Sequence, residues 1–294
     1  MEGLDEVRGR TVAVRRAFEE LRDELGRVVV GHEELIEQVF VALVCGGHCL
    51  LEGVPGLGKT LMVRSLAEVL NLTFSRIQFT PDLMPADITG TNVLTDDAAG
   101  KKVFDFQPGP VFAHIVLADE INRATPKTQS ALLEAMQEQS VTVGLLLQYP
   151  SREELSRIAD LTTAPPPPPL RKVLDAEAVL KIRDWVREVP IAEPVKDYAV
   201  RLVMATHPHK DGRVSLADRY VLYGSSPRGL QSLILAAKAR SLLTGRPNVS
   251  FQDIRSVMLP GLRHRIILNL EADAEGITAE KVLEAAAEGV AEIL

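Results

Sequence analysis

A glycine-rich segment has the residue types and spacing needed to hold phosphate groups. Residues 53–60 are Gly-Val-Pro-Gly-Leu-Gly-Lys-Thr, which fits the pattern G-x-x-x-x-G-K-[ST]. Glycines let backbone N–H groups turn towards phosphate oxygens, and the start of a following helix adds a favourable dipole. Lys59 can then reach the β- and γ-phosphates, while the Thr60 hydroxyl can ligate Mg²⁺. The pattern predicts nucleotide binding by a set of loop and helix residues: Gly53, Pro55, Gly56, Leu57, Gly58, Lys59, Thr60 and Leu61.

A pair of acidic residues at the end of an apolar run is the second candidate element. Residues 115–118 are Ile-Val-Leu-Ala, and Asp119 and Glu120 follow them. Asp119 is predicted to hold Mg²⁺ through water, and Glu120 is predicted to orient and polarise an attacking water. An acidic strand end is often only a solvated end. Its place downstream of a phosphate-binding loop favours the catalytic interpretation here.

Arg228 is the third candidate, within the segment Gly-Ser-Ser-Pro-Arg-Gly at 224–229. Proline is common in the first turn of a helix, so Arg228 is predicted to lie where a helix begins. A solvated arginine at a helix start is the alternative interpretation. If a nucleotide lies between two domains, Arg228 can contact the γ-phosphate and couple the angle of the second domain to the nucleotide state.

The segments around these residues alternate between helical and strand-like patterns, which predicts an α/β layer with a parallel sheet. The run before the glycine-rich loop is short and apolar, as is typical of a buried parallel strand. Thr125 and Pro126 form a helix-start signal after the acidic pair. The predicted elements are helices at 5–27 and 33–44, a strand at 48–52, a helix at 59–70, strands at 73–80 and 115–118, and a helix from 126 to about 139.

The chain changes character after residue 150. Five consecutive prolines at 165–169 predict a stiff, extended linker. Helical patterns predominate after it, at 176–186, 193–206, 227–243, 251–259 and 279–293. We therefore predict three parts: a nucleotide-binding core at 1–160, a proline-rich linker at 161–174 and an all-helical domain at 175–294.

Composition narrows the functional classes. The 294 residues are 46% hydrophobic and 25% charged, with a net charge of −7, so nothing in the bulk charge indicates a nucleic-acid partner. The longest clear apolar run, Val39–Cys45, is far shorter than the ~20 residues of a membrane helix, so no membrane insertion is expected. Cys45 and Cys49 are predicted to be packed thiols rather than metal ligands. We expect a cytoplasmic protein.

Several stretches together resemble the MoxR family of AAA+ ATPases. The resemblance includes the glycine-rich loop, the acidic pair with the following Ile-Asn-Arg-Ala, and the lid sequences Ser-Pro-Arg and Leu-Arg-His-Arg. It extends over nearly the whole chain. The segments that carry it are 51–60, 80–90, 106–112, 119–124, 131–138, 226–228 and 262–265.

The resemblance implies a RecA-like αβα core with a parallel sheet, followed by a helical lid. It also implies a hairpin inserted at about 89–106, with strands at 91–94 and 102–104, and places Gly31 at the adenine pocket. ATP and Mg²⁺ are the implied cofactors. The implied assembly is a homo-oligomeric, hexameric ring that remodels or activates a client protein, such as one with a von Willebrand factor A domain.

The sequence departs from the family between residues 140 and 154. Ser140–Gly144 leads directly into Leu145–Glu154, which resembles the end of the family's core, so a central strand with a polar sensor asparagine and a helix with an arginine finger are missing. We expect that this sequence does not close a complete core: either the strands beside the missing one pair directly, or the centre of the sheet is distorted, or the natural chain has residues that this sequence lacks. We also expect ATP hydrolysis to be very slow or absent. Two alternatives follow: a degenerate nucleotide-binding scaffold, or a motor subunit of the metal-chelatase type.

Overall fold

The computed structural model describes residues 2–54, 56–96, 102–136, 142–165, 167–208 and 215–293. The chain begins with two helices, α1 (Glu2–Leu25) and α2 (Glu33–Val44). Apolar residues recur on one face of each helix, and Phe18 of α1 lies 5.3 Å from Phe40 of α2, between ring centres. Both rings belong to the main hydrophobic core, so the two helices are fixed against the rest of the chain.

The first half of the chain alternates strands with helices, as the sequence predicts. A 3-10 turn at Ile121–Arg123 joins the acidic pair to the next helix. The predicted boundaries agree to within a few residues, although the predicted end of the helix near 139 lies outside the described residues. The elements are β1 (His48–Glu52), α3 (Lys59–Val69), β2 (Phe74–Gln78), α4 (Pro85–Thr89), β3 (Gly90–Asp96), β4 (Lys102–Pro108), β5 (Ile115–Asp119), α5 (Pro126–Met136), β6 (Thr142–Leu146) and α6 (Arg152–Thr163).

The parallel strands form two separate pairs rather than one sheet. β1 pairs in parallel with β6, from His48 opposite Thr142 to Glu52 opposite Leu146. β2 pairs in parallel with β5. Within the described ranges, no strand is hydrogen-bonded between β1 and β5. Of the outcomes expected for the centre of the sheet, the structure has the distorted one: the flanking strands have not paired with each other, and a gap separates them.

The predicted insert hairpin is also confirmed. β3 and β4 are antiparallel, from Gly90 opposite Pro108 to Asp96 opposite Lys102. The base of the hairpin requires glycine, because Gly90 has a φ of 93° and a Cβ there would lie 2.3 Å from the carbonyl oxygen of Gln107. Residues 97–101, between the two strands, lie outside the described residues.

The second half is mostly helical, as predicted. A short antiparallel pair of strands, at residues 221–223 and 267–268, accompanies the helices and was not predicted. The last helix ends at Gly289 rather than at residue 293. The elements are α7 (Ala176–Glu188), α8 (Glu193–Met204), α9 (Leu216–Tyr220), β7 (Val221–Tyr223), α10 (Pro227–Leu243), α11 (Phe251–Leu262), β8 (Ile267–Leu268), α12 (Leu270–Glu275) and α13 (Ala279–Gly289).

The segment between the two halves is held against the core. Arg171 donates from its backbone N–H and from Nε to the buried carboxylate of Glu24 on α1. The N–H of Val173 donates to the carbonyl oxygen of Val69 at the end of α3, 2.8 Å away. α6 continues to Thr163, across the predicted boundary at residue 160. No helix among the described residues is long and apolar enough to cross a membrane.

Candidate functional site

The glycine-rich loop joins the end of β1 to the start of α3. Gly53, Gly56 and Gly58 have φ values of 150°, 87° and 75°, which side chains with a Cβ rarely adopt. Apart from their chain neighbours, no described residue has a heavy atom within 4 Å of the place where a Cβ would stand on Gly56 or Gly58. The loop therefore borders open space at the N-terminus of a helix, an arrangement that fits a phosphate group. Pro55 lies outside the described residues.

The side chains that follow the loop have different environments. Lys59 Nζ donates a hydrogen bond to the carbonyl oxygen of Gly53, 2.7 Å away, so the ammonium lies over the loop. Thr60 is half-buried in the first turn of α3. Leu57 packs against the main core, whereas Leu61 is 50% exposed. Lys59 and Thr60 thus present polar groups where the loop is open.

The acidic pair is held by side chains of the neighbouring strand. Asp119 ends β5, and its Oδ2 accepts a hydrogen bond of 2.7 Å from Arg76 Nη2 on β2. Glu120 Oε2 accepts a hydrogen bond of 2.9 Å from Gln78 Nε2 and lies 3.0 Å from Arg123 Nε. Both carboxylates are therefore oriented at the carboxyl end of the β2–β5 pair.

Glu120 has an unusual backbone conformation. Its φ of 58° and ψ of 40° lie in the left-handed region, where residues other than glycine are uncommon. This conformation ends β5 abruptly and leads into the 3-10 turn at Ile121–Arg123. The turn gives Arg123 its position beside the Glu120 carboxylate.

One cavity of about 740 Å³ brings the loop and the acidic pair together. Lys59 and Thr60 line it from α3, and Asp119 and Glu120 line it from the end of β5. A hydroxyl and a carboxylate are oxygen ligands of the kind that Mg²⁺ prefers beside nucleotide phosphates. These four residues, predicted from two separate parts of the sequence, thus share one site.

Gly31 and Arg228 do not line this cavity. Gly31 has a φ of 73° and lies against the Glu154 side chain, beside a separate hollow of about 350 Å³. Arg228 is exposed in the first turn of α10, as predicted. The burial of Arg265 and the nearby charge of Arg228 lower the pKa of Arg265. The nucleotide-contact roles of Gly31 and Arg228 remain predictions.

Arg76 and Gln78 are site residues that the sequence reasoning missed. Alternate residues of a strand project to the same face, so positions 76 and 78 both point towards the acidic pair once β2 lies beside β5. The alternating pattern of the predicted strand at 73–80 placed residues 76 and 78 on one face. Assigning them to the site also required knowing that this strand lies next to β5.

The two cysteines behave as packed thiols. Neither forms a disulfide, and burial raises the pKa of both the Cys45 and the Cys49 thiol to about 12. Cys49 lies on β1, at the margin of the 740 Å³ cavity. Both side chains are therefore neutral at physiological pH, as buried structural thiols are.

The comparison with known proteins decides the family. Residues 48–153 match the model of the ATPase family associated with various cellular activities (AAA), and residues 213–286 match the AAA lid domain. The chaperone MoxR1 of Mycobacterium tuberculosis is 36% identical, over 91% of this chain and 80% of that protein. The chain belongs to the MoxR family of AAA+ ATPases. Protein YeaC of Bacillus subtilis is 37% identical over 89% of this MoxR-family chain and 90% of its own length.

A solved structure supports the same fold. A candidate ATPase from Cytophaga hutchinsonii superposes with a TM-score of 0.90 and 33% identity, covering all of both chains.

The MoxR1 alignment spans 306 residues, although this MoxR-family chain has 294 residues and only 91% of them are aligned. The alignment is therefore longer than the aligned part of this chain, so MoxR1 has residues with no counterpart here.

Proposed function

We propose that this MoxR-family protein is a Mg²⁺-dependent ATPase that remodels or activates a client protein. The observation that carries the proposal is the convergence of Lys59, Thr60, Asp119 and Glu120 on one cavity at the carboxyl ends of β1 and β5. Loop glycines with open space beside them and two oriented carboxylates suit phosphate binding and water activation better than they suit a structural turn.

Binding falls to the loop and to the start of α3. The N–H groups at the beginning of α3 and the ammonium of Lys59 attract the phosphate oxygens, and Lys59 exchanges its bond to Gly53 for one to phosphate. Thr60 and Asp119 are the residues that would hold Mg²⁺, which neutralises phosphate charge when bound. Asp119 must then share or release its hydrogen bond from Arg76.

Glu120 is the proposed base. Gln78 Nε2 and Arg123 Nε both contact Oε2 of its carboxylate, so the lone pairs of Oε1 can accept a proton from water. Because Glu120 orients the water rather than the phosphate, its loss is expected to affect hydrolysis more than nucleotide binding.

The assembly and the site of action are extensions of the family assignment. We infer a homo-oligomeric, hexameric ring in which the helical half of the chain, at 175–294, acts as the lid and Arg228 contacts the nucleotide. A chaperone-like action on a protein client is supported by the name of the M. tuberculosis relative. A client with a von Willebrand factor A domain is our specific proposal. Cysteines that form no disulfide suit a reducing compartment, so we place the protein in the cytoplasm.

Two substitutions test the nucleotide site. Lys59→Ala removes the cation over the loop and should abolish tight binding of a fluorescent ATP analogue. Glu120→Gln should keep binding and stall phosphate release, because an amide can hydrogen-bond water but cannot take its proton. Light scattering with and without ATP measures ring formation on the same samples. Unchanged analogue binding by the Lys59 variant contradicts the site.

The gap between β1 and β5 favours a second candidate, a nucleotide-binding scaffold with little hydrolysis. The loop and the acidic pair belong to different strand pairs, so their separation is not fixed by a shared ladder. A scaffold would bind the ATP analogue through Lys59 and change its assembly with nucleotide, yet release no phosphate above the rate of the Glu120→Gln variant. Steady-state phosphate release separates the two functions.

A further inference from the structure

The gap between β1 and β5 has hydrogen-bonding strand edges on both sides. Ile115 N donates to Thr73 O, and Asp119 O accepts from Phe79 N, so the alternate residues 115, 117 and 119 face β2. Neighbouring residues of a strand direct their backbone groups to opposite edges. Val116 and Ala118 therefore direct their N–H and C=O groups into the gap.

The same argument applies to β1. Glu52 O accepts a hydrogen bond from Leu147 N, and Glu52 stands opposite Leu146, so Glu52 faces β6 together with Leu50 and His48. The N–H and C=O groups of Cys49 and Leu51 then face the gap. Counting both edges, four residues offer four donors and four acceptors to whatever lies between them.

The gap opens into a cavity whose lining, among the described residues, is mostly apolar. The 740 Å³ cavity that contains the acidic pair continues along both strands, from the amino ends at His48 and His114 to the carboxyl ends at Lys59 and Asp119. Side chains of α5 and α7, among them Leu132 and Val179, also line it. β1 and β5 thus run in the same direction along an apolar slot that reaches the candidate nucleotide site.

A small molecule is a poor match for this slot. The volume lies within the ~300–1,000 Å³ of small-molecule sites, so size alone does not identify the occupant. The two backbone edges identify the occupant. Only another extended backbone presents donors and acceptors to both sides at once, with the spacing of a parallel ladder.

We propose that the gap binds one extended, apolar segment of another polypeptide, which inserts parallel to β1 and β5 and joins the two strand pairs into one sheet. Five residues match the length of both flanking strands. The amino end of the segment lies near His48 and His114. Its carboxyl end is polar, because it meets Lys59, Asp119 and Glu120. This site stands on the strand edges alone and does not depend on ATP hydrolysis.

Residue-resolved amide hydrogen exchange on the full chain tests the proposal. The probe is an acetylated, amidated peptide, Lys-Ile-Val-Leu-Ala-Asp-Lys, which copies the β5 sequence between lysines. When about 90% of the chain is occupied, the amides that face the gap should exchange roughly tenfold more slowly, because only the free tenth exchanges. These amides are Cys49, Leu51, Val116 and Ala118. Leu50 and Leu117, already bonded to β6 and β2, serve as internal controls and should change little.

Two matched variants and one matched peptide sharpen the test. Val116→Pro removes an N–H that faces the gap and leaves the bonds of Ile115 and Asp119 to β2 in place, so peptide affinity should fall by roughly twofold to tenfold, the effect of one hydrogen bond. Val116→Ala keeps that N–H and should bind more tightly than the proline variant. A peptide with proline in place of its leucine should bind more weakly than the probe.

Four results would overturn the proposal. With peptide, these are hydrogen exchange that does not slow at the gap-facing amides, or that slows equally at the gap-facing and control amides. Without peptide, they are gap-facing amides already protected in the dilute chain, or protection that grows with protein concentration. The last result would identify a second copy of the chain as the occupant. If Val116→Pro does not fold, the unaltered chain still tests the proposal, because exchange must slow at the gap-facing amides and not at the control amides between them.

Discussion

Replacing Glu24 by glutamine tests how the segment before α7 is fastened to the core. Glu24 lies on α1 and is 2% exposed. Its Oε1 accepts from the Arg171 backbone N–H at 2.8 Å, its Oε2 accepts from Arg171 Nε at 3.0 Å, and the Arg27 guanidinium also pairs with it. These hydrogen bonds, that of the Arg171 backbone first, hold the pKa of Glu24 below its usual value.

The expected cost follows from the partners. Glutamine keeps an oxygen that can accept from the Arg171 N–H. The two hydrogen bonds to the Arg171 and Arg27 guanidinium groups, of about 1.5–3 kcal/mol each when charge-assisted, lose the carboxylate charge, and the amide NH₂ group can face a guanidinium donor. The side chains of Arg27 and Arg171 are 33% and 77% exposed, so released guanidinium groups regain water. We therefore expect the free energy of unfolding to fall by about 1–3 kcal/mol, less than the 3–5 kcal/mol of a fully buried pair.

Urea unfolding followed by circular dichroism measures this loss, with Glu20→Gln as the matched control. Glu20 lies on the same helix and pairs with Arg16 at the surface, so its loss should cost less than about 0.5 kcal/mol. The folded pKa of Glu24 is depressed, so its stabilisation is present above the unfolded value of about 4.5 and is lost as the pH falls through the lower folded pKa. The two chains should converge in acid.

Either of two results would refute this account of Glu24. One is a difference between wild type and Glu24→Gln that stays constant from neutral pH down through the acid range. The other is a cost equal to that of the Glu20→Gln control, which would mean that the segment at Arg171 is held by its other contacts.

Three further expectations concern the nucleotide site. Asp119→Ala should weaken Mg²⁺-dependent binding of an ATP analogue, and an affinity that responds to neither this change nor EDTA would count against the metal role. Arg228→Ala should leave the melting temperature without nucleotide nearly unchanged, because Arg228 is exposed, while nucleotide-dependent protease sensitivity of the helical half should diminish. Phosphate release by the 294-residue chain should be very slow but above that of the Glu120→Gln variant, since a supplied arginine contributes roughly 10³–10⁵ in rate in related phosphoryl transfer; an ordinary AAA+ rate would contradict the argument.

The sequence predicted most of the elements that position the site. The glycine-rich pattern identified the junction of β1 and α3, and the apolar run before Asp119 identified β5. Local signals of this kind predict elements well because a few adjacent residues determine the turn type and the hydrophobic period. The helix after Pro227 was predicted with the observed bounds, since turn residues mark both of its ends, at 224–227 and at 245–248.

Features that depend on distant partners were harder to predict. The role of Arg76 could not be predicted because it arises only when β2 lies beside β5. The β7–β8 pair was missed because two- and three-residue strands are too short to show a period. The gap at the centre of the sheet was expected because the resemblance to a known family indicated which strand was absent, not because of any residue in the chain.

The backbone of Glu120 suggests a conflict between stability and activity at the site. A left-handed conformation costs a residue with a side chain roughly 1–2 kcal/mol, and glycine avoids this cost. Glu120→Gly would therefore relieve backbone strain while removing the proposed base. Screening variants for thermal stability alone would favour this substitution, whereas screening for phosphate release would reject it. On this view the strained glutamate persists because its carboxylate is needed there, so a more stable chain altered at this position should be a less active one.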